Sequence, residues 1–287
     1  MEDNMEKVLL HTPEGVRDVY GKECAVKLTI ENSINKVFNI YGYHNIQTPT
    51  FEFFDIFSKE RGSVASKNLY KFFDREGNTL VLRPDVTPSI ARLVAKYYMD
   101  VKVPVKLCYN ANTYINNSEL QGKLKENTQL GCELINDDSV EADAEILALV
   151  VDSLKAAGLK EFLVEIGHAD FYKGLLEECG FDTENEQELR KRIENKNYFG
   201  VEEILDNNNI TGQLKEAFLK LPELFGSIDI IKSAKELTDN KKALQSIERL
   251  EKLYSILEDY GVSKYISFDL GMISNFNYYT GIIFKAY

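Results

Sequence analysis

The chain has 287 residues, a formal net charge of −12 and a pI near 4.9. That charge argues against a nucleic-acid partner, because such affinity rests on Lys and Arg neutralising phosphates, and no cluster of them stands out. A hydrophobic share of 44% and a charged share of 28% are globular values at a length that allows one large domain or two ordinary ones.

No apolar run is long enough to span a membrane, and the opening MEDNMEKVLL lacks the apolar core of a secretory signal, so a cytoplasmic protein without a membrane partner is expected. Cys24, Cys108, Cys132 and Cys179 lie far apart with no C-x-x-C pair, which suits small buried hydrophobes in a reducing compartment rather than disulfides or zinc ligands. With only His11, His44 and His168, a histidine-based metal site or catalytic triad is not expected. No phosphate-binding loop and no G-x-G-x-x-G occurs, and no cofactor is implied.

In chain order, a turn-rich stretch at residues 12–18 precedes a predicted helix from Glu23 to Tyr41. Its apolar positions Val26, Ile30, Ile34, Val37 and Phe38 share one face. Asn45 to Phe54 reads as extended chain broken by Pro49, with Phe51, Phe53 and Phe54 expected in the core. Residues 68–82 form two short strands around Gly77-Asn78, a hairpin signal. Arg83 is extended because Pro84 follows, and Thr87 is predicted to cap a helix that starts at Pro88 and runs to about Met99. Strands follow at 103–109 and 127–135, then a helix from Asp138 or Ser139 through Leu154, closed by Gly158, and a buried strand at 162–166. Residues 170–262 carry only helical patterns and polar breaks. Strand character returns at 265–269 and 278–286. Hairpins and excursions rather than regular βα alternation give an α+β class with a mostly antiparallel sheet.

Four polar clusters fall on strands or their ends: Arg83/Asp85/Thr87, Gln129 and Glu133, Asp269-Leu-Gly271, and residues 277–281. Gln129 and Glu133 are four apart, so on a strand they face the same side, with Leu130 and Cys132 on the other. Carboxylates, an amide and phenols with few cations suit a ligand bearing an ammonium or imidazole group, and suit a triphosphate poorly. From these residues alone, Arg83–Asp85 as a solvated pair and Gln129/Glu133 as an exposed sheet face stay open.

Four motifs in this order, TPEGVRD (12–18), Arg83-Pro-Asp-Val-Thr87, Gln129-Leu-Gly-Cys-Glu133 and Tyr278-Tyr-Thr-Gly-Ile-Ile-Phe284, resemble the histidyl-tRNA synthetase core. The resemblance is closer to its paralogue, the regulatory subunit of ATP phosphoribosyltransferase. It implies a class II aminoacyl-tRNA synthetase-like antiparallel sheet flanked by helices, made of residues 1–169 and 263–287, with 170–262 as an all-helical insertion. Two arginines that a synthetase uses on ATP fall at Ile115 and Ser274 here. Adenylation needs cations on the developing phosphate charge, so synthetase activity is expected to be absent.

The resemblance further implies a homodimer that associates with a short-form catalytic ATP phosphoribosyltransferase. That partner joins ATP to phosphoribosyl pyrophosphate in the first step of histidine synthesis, under feedback inhibition by histidine. Carried over by position, the histidine-binding candidates are Asp85 and Thr87 for the α-amino group, Gln129 and Glu133 in the same pocket, and Tyr278 and Tyr279 flanking the imidazole. Asn277 stands where the family commonly has an acid. The family core continues into a third motif beyond Tyr287, so a fragment or a short chain with an open sheet edge is expected. A degenerate histidine-activating enzyme and a stand-alone histidine-binding module are the competing readings.

Overall fold

The computed structural model describes residues 10–58, 64–117, 122–273 and 279–287. The chain divides into two compact units: residues 1–137 with 152–158, and residues 138–151 with 159–287.

The first unit begins with helix α1 (Gly21–Ile40), followed by strands β1 (His44–Asn45), β2 (Phe51–Phe53), β3 (Lys71–Phe73) and β4 (Thr79–Leu82). Helix α2 (Thr87–Tyr97) and the long strands β5 (Val105–Tyr114) and β6 (Glu126–Ile135) complete it. β5 and β6 form an antiparallel ribbon with β1 parallel along the other side of β5, while β2 and β3 flank β4 antiparallel in a separate small sheet. The Gly77-Asn78 turn forms as the sequence requires: Gly77 has φ +85° and the Asn78 amide donates to Asp74.

The core of this unit lies where α2 covers one face of the ribbon. Val86, Ile90, Val105, Leu107 and Tyr109 are buried together, with Leu93, Val94 and Ile135 packed around them. Each large aliphatic side chain so buried contributes roughly 1.5–3 kcal/mol.

Along α1 the apolar positions share a face as expected, but only Phe38 is buried and Val26 and Ile30 are exposed, so the stripe exceeds what this unit covers. One expectation about the core fails in this unit. Of the three rings expected in the core, Phe54 is partly buried against Phe57, Leu69 and Val81, but on β2 Phe51 and Phe53 are 53% and 56% exposed while Glu52 is 7% exposed. The reason is an ion pair. Arg92, from α2, places Nη2 2.7 Å and Nε 3.1 Å from Glu52 Oε1, so the inward position carries a neutralised charge instead of a ring.

In the second unit, helix α3 (Val140–Ala156), which crosses the division after Val151, is capped by the Ser139 hydroxyl accepting from the Ala142 amide. Strand β7 (Val164–His168) is followed by α4 (Ala169–Cys179), α5 (Thr183–Glu194), α6 (Tyr198–Asn207) and α7 (Gly212–Lys220). Then come β8 (Phe225–Gly226), α8 (Ile230–Glu236), α9 (Lys241–Asp259), β9 (Ile266–Asp269) and β10 (Ile282–Ala286). The sheet order is β10-β7-β9-β8, with β7 and β9 parallel and the two outer pairings antiparallel.

The run expected to be all-helical therefore carries one two-residue strand, β8, which pairs with β9. α4 packs on α9, and Gly174 is what lets them meet: a Cβ there would fall 2.9 Å from the Ala243 amide nitrogen.

Candidate functional site

The turn between β4 and α2 assigns its three polar residues to three different tasks. Arg83, only 6% exposed, donates from Nε to the Asn112 carbonyl at 2.8 Å and from Nη1 to the Thr48 and Pro49 carbonyls at 2.8 and 3.1 Å. It ties three backbone segments together rather than forming a solvated pair with Asp85. Burial lowers its pKa.

Thr87 does not cap α2 with its side chain. It is the first residue of the helix, and its hydroxyl donates instead to Glu133 Oε1 at 2.7 Å. The Thr87 amide is met by Asp85 Oδ1 at 3.4 Å, so the acceptor at this helix start is the aspartate.

Glu133 comes from β6. Gln129, Gly131, Glu133 and Ile135 alternate along one face, opposite Ala111, Tyr109, Leu107 and Val105 of β5. This face lies under α2, which explains how a half-buried carboxylate meets Thr87. Burial pushes the Glu133 carboxyl up; the Thr87 hydroxyl pulls it down and the Asp85 charge raises it further. Among the described residues no cation pairs with Glu133.

Tyr109 belongs to the site and was missed by sequence reasoning. Its ring is 4% exposed, and its phenol is pushed up by burial first, then by the Glu133 and Asp85 charges. Gly131, its cross-strand partner, makes the room, since a Cβ there would overlap the Tyr109 hydroxyl. A glycine in mid-strand opposite a tyrosine was the available signal.

Asp85, Thr87, Gln129 and Glu133 thus lie on α2, its leading turn and the strand beneath it, all in the first unit. Tyr279 belongs to the second unit and is exposed, and Tyr278, Asn277 and Ser274 lie outside the described residues. Ile115 follows the end of β5, its amide donating to the Lys125 carbonyl. Chemically, the first-unit cluster offers one uncompensated carboxylate, a second carboxylate, an amide and a phenol. Such a set of acceptors is chemically suited to a cationic nitrogen.

The histidyl-tRNA synthetase family model matches residues 15–287. An ATP phosphoribosyltransferase regulatory subunit of Ruminiclostridium cellulolyticum is 46% identical over 99% of this chain and 68% of its own length. The chain belongs to this family.

It spans about two thirds of the length of that relative. The solved structure of a Bacillus halodurans C protein, described as an ATP phosphoribosyltransferase regulatory subunit/histidyl-tRNA synthetase, superposes with a TM-score of 0.89 at 36% identity. That match covers 97% of this chain and 73% of the other. An ATP phosphoribosyltransferase complex from Thermotoga maritima gives a TM-score of 0.66 at 20% identity over 90% of this chain and 86% of the other, a likeness of fold. The α+β, synthetase-like fold class is as expected. Among the described residues no helix is long and apolar enough to cross a membrane, and no group of three metal-ligating side chains converges.

Proposed function

We propose that this chain is the non-catalytic regulatory subunit of an ATP phosphoribosyltransferase, acting with a short-form catalytic subunit in the first step of histidine synthesis. The observation that carries the ligand part of this reading is Glu133: a half-buried carboxylate with a raised pKa, held by Thr87, with no paired cation among the described residues. A protonated imidazole or ammonium group supplies the missing charge, and histidine offers both. Asp85 and Gln129 line the same receptor, and Tyr109 closes it from below.

Absence of synthetase activity is supported by Ile115 and Ser274, which stand where adenylation needs cations. Residues 170–262 are read as an insertion, supported by the direct pairing of β7 with β9 on either side of it. Homodimer formation is supported by apolar surface that the first unit leaves open, Val26 and Ile30 on α1 and Phe51, Phe53 and Phe73 on the small sheet.

The test is reconstitution. Mixed with a short-form catalytic subunit, the protein is expected to restore phosphoribosyl transfer and make it sensitive to histidine. Failure to associate and to restore activity overturns the assignment. Histidine-dependent exchange of pyrophosphate into ATP by the protein alone would instead make it a ligase.

A further inference from the structure

Two of the four cysteines, well separated in sequence, meet in the first unit. Cys108 on β5 and Cys132 on β6 stand directly opposite each other in the antiparallel register, both as thiols. The Cys108 carbonyl accepts from the Ile46 amide at 2.9 Å, on the β1 side of β5 and away from β6. A strand residue sends its N–H and C=O to the same side, so Cys108 and Cys132 exchange no ladder hydrogen bonds. Tyr114, of the same parity on β5, agrees, because its amide donates to the Arg83 carbonyl at 2.9 Å rather than to β6. Opposed residues of this kind hold their Cα atoms about 4.5 Å apart with both side chains on one face. That separation lies just inside the range of roughly 4.4–6.8 Å that a disulfide spans. Cys24 and Cys179 lie on helices α1 and α4 and share no such register.

The two thiols occupy the face of the ribbon opposite Gln129 and Glu133. Cys108 is fully buried, and its Sγ donates to Asn45 Oδ1 on β1 at 3.4 Å. Cys132 is only partly buried, so it is the thiol that a reagent meets first. The register pairs on either side are Leu107 with Glu133 and Tyr109 with Gly131, the pairs that build the candidate receptor. Neither has slack. Thr87 holds Glu133 at 2.7 Å, and the Tyr109 hydroxyl fills the space that a Gly131 Cβ would need. A covalent bond between the cysteines resets the strand spacing at the centre of this group.

We propose that Cys108 and Cys132 are a reversible redox pair, closed by exchange with a low-molecular-weight disulfide such as oxidised glutathione, and that closure weakens ligand binding at the Glu133 receptor. The second half rests on reading that receptor as the histidine site. The Cys132 thiolate attacks one sulfur of the small disulfide, whose S–S bond breaks and releases one thiol. Cys108 then attacks the Cys132 sulfur of the mixed disulfide, and the second small thiol leaves. The two cysteine protons depart on the two released thiols, so the protein pair is oxidised and the small disulfide reduced. The short Cα separation strains the new bond, which therefore opens again in reductant. A pair of small buried hydrophobes is the plainer role, and it predicts thiols that oxidised glutathione leaves untouched.

The experiment is incubation of the purified protein with oxidised glutathione, followed by peptide mapping by mass spectrometry and calorimetric titration with histidine. A cross-linked Cys108–Cys132 peptide is expected, lost again in dithiothreitol, with histidine affinity about fivefold or more lower in the closed form. In Cys108→Ala the reaction should stop with glutathione on Cys132. In Cys132→Ala no bond should form, and the same treatment should leave histidine affinity unchanged. Unmodified thiols at both positions, glutathione persisting on Cys132 of the parent, or a link between two chains overturns the pair. A Cys108–Cys132 bond with unchanged histidine affinity overturns its regulatory role. Absence of histidine binding by the reduced parent overturns the receptor reading and the regulatory role with it, while the peptide map decides the pair by itself.

Discussion

The Thr87 hydroxyl donates to the Glu133 carboxylate at 2.7 Å, joining the start of a helix to the strand beneath it. The bond keeps a half-buried carboxylate, with no paired cation among the described residues, in place, while Asp85 Oδ1 supplies the acceptor at the start of α2, so the Thr87 hydroxyl is left for Glu133.

Glu133→Gln is therefore expected to weaken histidine binding at least about tenfold, because a buried cationic group loses its counter-charge. The folded protein should be as stable as the parent or slightly more so, since a buried charge is removed. Calorimetry at several pH values checks both. Because binding of a cation draws the raised Glu133 pKa back down, the parent should release protons on binding and Glu133→Gln should release fewer. Unchanged affinity would place the histidine site elsewhere.

Gly131→Ala introduces a Cβ that overlaps the Tyr109 hydroxyl. Overpacking of this kind costs about 1–3 kcal/mol. Adding Tyr109→Phe should recover much of the loss, which chemical denaturation of the two single variants and the double variant measures as a coupling energy. Additive losses would show that the two residues do not press on each other.

Arg92→Met leaves Glu52 buried without its partner and should destabilise the fold by about 3 kcal/mol. Paired with Glu52→Leu, the same change should be much less harmful, because a neutral side chain suits the inward position. Equal melting temperatures for Arg92→Met and the parent would mean that the pair is solvated.

His168 caps α4 through Nδ1, which accepts from the Asp170 amide at 3.1 Å, and its burial brings its pKa down to about 4. Asp170 opposes that shift, whereas Arg249 and Lys173 add to it. The unfolded chain takes up a proton near pH 6.5 and the folded one only near 4, so between these values the unfolded state binds more protons. Stability is complete above the upper value and falls as pH drops through the window, by about 3 kcal/mol at most. His168→Asn keeps a capping acceptor without the titration, and its stability should be flatter over that range in urea unfolding experiments.

Much of this protein was legible in its sequence because local physics determined it. Gly77-Asn78 set a hairpin, and the period-two alternation put Gln129 and Glu133 on one side of a strand. The motif order carried the family. What the sequence left open was which long-range partner each polar group would take. A threonine before a proline is a cap by local rules, yet Thr87 spends its hydroxyl on a carboxylate 46 residues away. Three phenylalanines in ten residues read as core, yet Glu52 goes inward because α2 brings Arg92 to it. Tyr109 joined the site only through its cross-strand glycine. In each case tertiary structure decided, because a polar group leaving water takes whichever partner the fold brings near, and sequence spacing does not encode that meeting.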